Sequence, residues 1–228
     1  MVARNDYPRA SDALVNGGIT TYIAGMMLLM SFASPYWIQS FQETMSKFKH
    51  MGLWEYCFEE FRFPNYQIPK LFNGCHYIFS QEYNVMREWL LPPWLMVVQA
   101  FVTLGLILNF ASQIIIALEL IRWPLKFVLR YEYLLSSIAF VCNATCSVLV
   151  FLAVAIFGGQ AWRRDWLMYP NFNYLSWSYG FACLSFMFHG VAALFVYLDA
   201  RRNYEIKKES KNLVVQMHDN PSHNGGYV

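Results

Sequence analysis

Four long apolar runs, each free of charged residues, divide the chain. They cover residues 15–33 (VNGGITTYIAGMMLLMSFA), 94–118, 134–157 and 176–198, the last closing at Asp199. A hydrocarbon core about 30 Å thick is crossed by roughly 20 apolar residues of α-helix, so each run predicts a membrane-spanning helix. Between the first two runs the pattern changes period. "SPYWIQSFQE" alternates apolar with polar positions, and "LWEYCF" and "CHYIFS" are rich in aromatic and β-forming residues, so the stretch 34–93 predicts strands. "PNYQIP" punctuates them, and "SQEYNVMREWLL" predicts a short helix before Pro92-Pro93. The economical picture is a small sheet resting on one end of a four-helix bundle. A strand or two alone is marginal in water, which predicts a staple.

The remaining segments are a polar lead (1–14), a turn of about 15 residues (119–133), a second loop of about 18 residues (158–175) and a tail (199–228). The tail starts basic and ends "NPSHNGGYV", a composition that resists packing. Ser31-Phe32-Ala33 would suit a signal-peptide cleavage site, but the run before it exceeds an h-region of about 7–15 residues and is expected to be retained. Lys and Arg near the spans set orientation. With both termini in the cytoplasm, ten lie inside, among them Arg4, Arg9, Arg122, Lys126 and Arg130, and seven outside. The bias favours cytoplasmic termini, with loops 34–93 and 158–175 extracellular.

Composition narrows the function classes. Of 228 residues 57% are hydrophobic and 14% charged, against about 25% charged in soluble domains. A net charge of +2 gives no argument for nucleic acid. Of five cysteines, Cys142, Cys146 and Cys183 fall within spans, leaving Cys57 and Cys75 in the long outside loop. An oxidising compartment predicts a disulfide between them. Trp37 and Trp54 flank the membrane face of that loop, where an indole is at ease with one edge greasy and the other wet. They read either as ordinary belt residues or as the attachment of a sheet, with Gly52-Leu53 letting a strand pass close beneath.

Trp37, Gly52-Leu53-Trp54, Cys57, Cys75 and Arg87, in that order ahead of the second span, resemble the W–GLW–C–C–R pattern of claudins over about residues 12–200. The resemblance implies a membrane α+β fold: a left-handed four-helix bundle carrying an extracellular antiparallel sheet of about five strands, one supplied by the second loop. It also implies lateral polymerisation in one membrane, pairing with copies and other claudin-like proteins across two cells, and control of paracellular passage at the lateral plasma membrane. Arg87 would buttress the sheet and Trp54 would seat it on the bundle. The chain departs from the vertebrate pattern in its wider cysteine spacing and in "RRDWLMYPNFNY" as second loop, where Trp166, Tyr169 and Pro170 are the counterparts for contacts between molecules. It also has no cysteines at the cytoplasmic ends of spans two and four. These departures point to an invertebrate septate-junction relative.

Other features add finer expectations. The end "GGYV" would let Tyr227 and Val228 enter a PDZ scaffold by strand addition. Glu55, Glu59 and Glu60 crowd around Cys57, offering cation selectivity or an ordinary solvated face. Asn109, Gln113, Asn143 and His189 predict interhelical hydrogen bonds rather than an ion path, since no carboxylate, lysine or arginine lies mid-span. No nucleophile–base pair, phosphate loop or metal-ligand spacing occurs, so no enzyme, cofactor or metal is expected. The rival reading is an auxiliary subunit of a channel or receptor within one membrane; a trafficking or myelin-type relative is a third.

Overall fold

The computed structural model describes residues 10–63, 70–167 and 169–219, with backbone alone over 214–219. In chain order the elements are α1 (Asp12–Ala33), β1 (Ile38–Ser40), β2 (Phe48–Met51), β3 (Glu55–Arg62), β4 (Leu71–Tyr77), α2 (Arg87–Leu90), α3 (Pro93–Ile121), α4 (Leu125–Gln160), β5 (Asn173–Leu175) and α5 (Trp177–Asp219). Four of the helices, α1, α3, α4 and α5, are long and apolar enough to cross a membrane.

The helix ends follow from local chemistry. Ser11 caps α1, its Oγ accepting the N–H of Leu14 at 3.1 Å. Proline opens α3, where a missing N–H leaves no helical bond unmade. Arg122 ends it in a left-handed conformation (φ 54°), and Pro124 precedes α4. The stretch 119–133, expected as a turn, is therefore helical except at 122–124. The residues after Pro124 favour helix and bury Val128. At about 1.5 Å per residue, the 36 residues of α4 run roughly 54 Å, well past a hydrocarbon core. The tail differs likewise: α5 continues to Asp219 on helix-forming Lys, Glu and Arg, with Arg201 donating to Glu205 one turn on at 3.1 Å.

The five strands form one antiparallel sheet in the order β4-β3-β2-β1-β5, so the second loop supplies an edge strand beside β1. Register sets Cys57 opposite Cys75, and a disulfide joins them across 18 positions of chain. Closing a loop of that size contributes about 3 kcal/mol. Tyr56 and Tyr83 knit the sheet from beneath. The Tyr56 hydroxyl donates to the Leu90 carbonyl at 2.7 Å and the Tyr83 hydroxyl to the Tyr56 carbonyl at 2.9 Å. Burial pushes both phenols above their ordinary pKa, Tyr56 well above, so both remain neutral donors.

One apolar core runs from the sheet into the adjoining half of the bundle, including Trp37, Ile38, Met51, Leu53, Leu28, Val98, Val102, Val150 and Phe157. Toward the other end it gives way to a small cluster of Leu14, Ile116, Ala139 and Val196. Polar side chains take over there. Asn143 of α4 donates to Ser112 Oγ of α3 at 2.5 Å, accepts from Thr21 of α1 at 3.3 Å, and meets His189 Nδ1 of α5 at 3.0 Å. At the bundle's end Ser136 lies 2.8 Å from Glu119 and 2.9 Å from Asp199, while Asp199 also bonds Ser11 and Asn203. Asn109 is buried with neither amide atom bonded to a partner.

Candidate functional site

The sheet meets the bundle at Trp37, which follows the last turn of α1. Its indole N–H donates to the Ser31 carbonyl at 2.8 Å. Its backbone N–H reaches Met51 at 2.8 Å and its carbonyl accepts Ser176 N–H at 2.9 Å, so α1, β2 and the start of α5 are tied through one residue. The ring packs edge-on against Phe157 at 4.8 Å and Tyr179 at 5.8 Å. With 0% of its surface exposed, Trp37 is core and not a belt residue. The belt reading failed because Phe157 of α4 and Tyr179 of α5 meet the ring while β2 and the start of α5 hold its backbone, partners that no local window contains.

Gly52 lets the chain pass beneath. A Cβ there would fall 2.6 Å from Pro35 Cα and closer still to the Ser34 carbonyl. Leu53 follows, fully buried, its carbonyl accepting Gln99 Nε2 of α3 at 2.6 Å. Trp54 is half-buried against Phe32 at 5.2 Å. Of the residues expected to anchor the sheet, Trp37 and Leu53 are fully buried at the joint, while Trp54, to which the resemblance gave the seating role, is only half-buried. Arg87 stands at the start of α2, its Nη2 3.4 and 3.3 Å from the carbonyls of Phe79 and Ser80. It braces the turn after β4 near the sheet's edge.

The three glutamates do not share one environment. Glu59 pairs with Lys49 across β2 and β3 at 2.5 Å. Glu60 occupies the bulge where the β3–β4 register shifts, with φ 48° and its N–H held by Asn73 Oδ1 at 2.5 Å. Glu55 faces a cavity of about 530 Å³ shared with Phe32, Pro35, Trp54 and Tyr77.

The turns at the sheet's other extremity are built differently. β1 leaves the bundle at Trp37 and β5 returns to it at Ser176, so the turns before β2 and before β5 lie at the strand ends away from the helices. Phe41 N–H donates to the Phe172 carbonyl at 3.0 Å and joins the two. Around this joint Met45 is 91% exposed and Tyr169 69%, with Phe41 and Phe172 also exposed. Met45, Tyr169, Phe172 and Phe61 line a cavity of about 420 Å³ whose rim carries Lys47 and Arg62. Met45 and Tyr169 both hold left-handed backbone, at φ 48° and 53°, a conformation costly to a side chain with Cβ. Below them Arg163 grips Asp165 with two hydrogen bonds, 2.9 and 2.6 Å, which hold that carboxyl below its usual pKa.

Of the second-loop residues expected at intermolecular contacts, only Tyr169 is presented. Trp166 is 3% exposed and stands edge-on to Trp94 at 4.6 Å and to Phe157, so it belongs to the core. Pro170 is buried as well. A large ring beside an exposed loop reads alike whether it points out or in. Met45, Phe41 and Phe172 escaped notice because single exposed apolar residues are ordinary until folding gathers them. Tyr227 and Val228 lie outside the described residues. His50, Cys57 and Cys75 bring three metal-ligating atoms together, but the disulfide occupies both sulfurs, and His50 Nδ1 bonds the Pro35 carbonyl at 2.9 Å.

The family model described as PMP-22/EMP/MP20/Claudin tight junction matches residues 22–198, a span that takes in the sheet and most of all four long helices. No curated protein matches the chain.

Proposed function

The chain belongs to the PMP-22/EMP/MP20/claudin tight-junction family, and from that premise we propose that it polymerises in one membrane, pairs across two cells and governs paracellular passage. In this reading the termini are cytoplasmic and the sheet faces the space between cells. The observation that carries it is the apolar tip of the sheet. Four large apolar side chains, Phe41, Met45, Tyr169 and Phe172, are exposed together at the strand ends directed away from the bundle. Exposed apolar clusters mark contact sites, and backbone strain held at two of the four supports a functional rather than a folding role. The partner is a second copy or another family member on the facing cell. We propose no catalytic step.

Met45→Ser with Tyr169→Ser tests this, because both side chains are mostly solvent-exposed and the changes leave the core intact. Cells expressing the unaltered chain should gather it at contacts between two expressing cells and show linear strands by freeze-fracture. The double variant should reach the surface at an unchanged level yet lose about ten-fold of its contact enrichment, equivalent to roughly 1.4 kcal/mol. Equal enrichment of both forms would refute the tip as a contact surface. A diffuse distribution of both, with co-purification of a channel, would instead favour the single-membrane auxiliary subunit.

A further inference from the structure

At the end of the bundle remote from the sheet, α4 and α5 run on past their apolar windows and leave a groove between them. It holds about 250 Å³ and is lined by Leu129, Arg130, Glu132, Tyr133, Ile206 and Lys207, among others. Leu129 and Ile206 give the groove apolar lining. Two cations line it with them: Arg130 from α4 and Lys207 from α5. Neither has a carboxylate partner among the described residues. The groove's own acid, Glu132, is engaged by Arg122 at 3.3 Å. Arg130 rests over the Tyr131 ring at 5.6 Å, which leaves its N–H edge available. Tyr133, exposed at the groove's side, adds a hydrogen-bonding side chain.

Depth selects the ligand. Arg130 lies four residues before the apolar run that opens at Leu134, and Lys207 nine residues after the run that closes at Leu198. At about 1.5 Å per residue they stand roughly 6 and 13 Å beyond the hydrocarbon. The polar layer of one leaflet is about 5–7 Å deep. Arg130 is therefore level with lipid phosphates, and Lys207 stands above them. A lipid with one phosphate in that layer meets Arg130 alone. A lipid whose headgroup carries further phosphates on a ring above the layer meets both cations at once. Basic pockets between spanning helices on the cytoplasmic side suit such headgroups. We propose that this groove binds a phosphoinositide headgroup of the cytoplasmic leaflet.

The proposal goes beyond the junction reading and takes from it only the orientation. Its test uses the full chain in detergent, where orientation does not enter. Dioctanoyl phosphatidylinositol bisphosphate is titrated in about 0.15 M salt, which screens loosely held charge. Arg130→Gln with Lys207→Gln should weaken binding about thirty-fold, near 1 kcal/mol for each cation removed. Lys208→Gln with Lys211→Gln removes the same amount of charge from positions of α5 beside the groove but not lining it, and should cost less than about three-fold. Lys207→Arg should keep nearly full affinity. All these positions are solvent-exposed, and an unchanged melting temperature verifies the fold. Equal losses from the two double variants would overturn the groove in favour of a diffuse basic surface. Dioctanoyl phosphatidylserine binding as tightly would overturn the choice of headgroup. Free inositol trisphosphate binding as tightly as the lipid would overturn a membrane source.

Discussion

The two ends of the bundle are held by different forces. At the sheet end Trp37, Phe157, Trp94, Trp166 and Tyr179 interlock edge to face, ring centroids 4.6–6.1 Å apart, over a continuous apolar core. Toward the opposite end that core shrinks to four residues, and the helices are joined instead by Asn143, Ser112, Thr21 and His189, then by Ser11, Glu119, Ser136 and Asp199. The solvent accounts for the difference. Where the sheet lies in water, burying an aromatic ring removes apolar surface from contact with it, and the hydrophobic effect drives attachment. Within lipid the surroundings are as apolar as the core, so packing leucine on leucine gains little. Helices there associate through small residues, close fit and hydrogen bonds.

The largest expected effect probes the sheet end. Trp37→Ala removes a fully buried indole and should cost about 3–5 kcal/mol. In nanodiscs this would appear as faster hydrogen exchange throughout β1, β2 and β5 and as melting of the sheet well below that of the unaltered chain. Trp37→Phe keeps most of the buried ring but loses the bond to Ser31, and should cost about 1–2 kcal/mol. If the two substitutions cost the same, hydrogen bonding rather than burial would dominate at this joint, and the contrast between the ends would disappear.

The opposite end should respond to loss of a hydrogen bond more than to loss of volume. Asn143→Leu keeps side-chain bulk yet leaves Ser112, Thr21 and His189 without their shared partner, and should cost about 1–2 kcal/mol. Adding His189→Leu should recover part of that loss, because removing both polar partners is less harmful than stranding one. Strict additivity in thermal denaturation of the single and double variants would break the account of a coupled polar seam.

How far each end was legible in the sequence follows from the same physics. The four spans were plain because lipid excludes charge over a long window, and the Cys57–Cys75 pairing because compartment left no other partners. The four-helix character, the sheet and its β5 edge also followed from the family resemblance. Trp37 stayed open between belt and sheet attachment, and Trp166 was misread as exposed, because burial of a ring beside a span is decided by partners such as Trp94 and Phe157 that only the assembled helices bring to it. Residues 119–133 and 199–219 were read as turn and tail because charge was taken to end a helix, when it only ends the apolar part of one. Glu119 and Asp199 received no role, since a carboxylate at the boundary of an apolar run looks like the first residue in water. Only the crossing of α3, α4 and α5 encloses Ser136 between them.

The smallest expected effect lies on the sheet's wet surface. Lys70 Nζ sits 2.9 Å from Glu82 Oε1, and its hydrogen bond and charge hold that carboxyl below the usual range. A lowered folded-state pKa means the pair contributes at neutral pH. That contribution is lost as pH falls below the ordinary glutamate value of about 4.3 and through the folded one. The sheet should therefore melt slightly earlier on acidification, and Lys70→Gln should abolish this increment of acid sensitivity. Because both side chains are exposed, raising salt to about 1 M, where the screening length is near 3 Å, should remove the effect at neutral pH as well. The Asn143 penalty involves neutral, buried groups and should stay fixed over the same salt range. If the Asn143 penalty shifts with salt while the Lys70–Glu82 contribution does not, the division between a water-exposed sheet end and a lipid-enclosed polar seam is wrong.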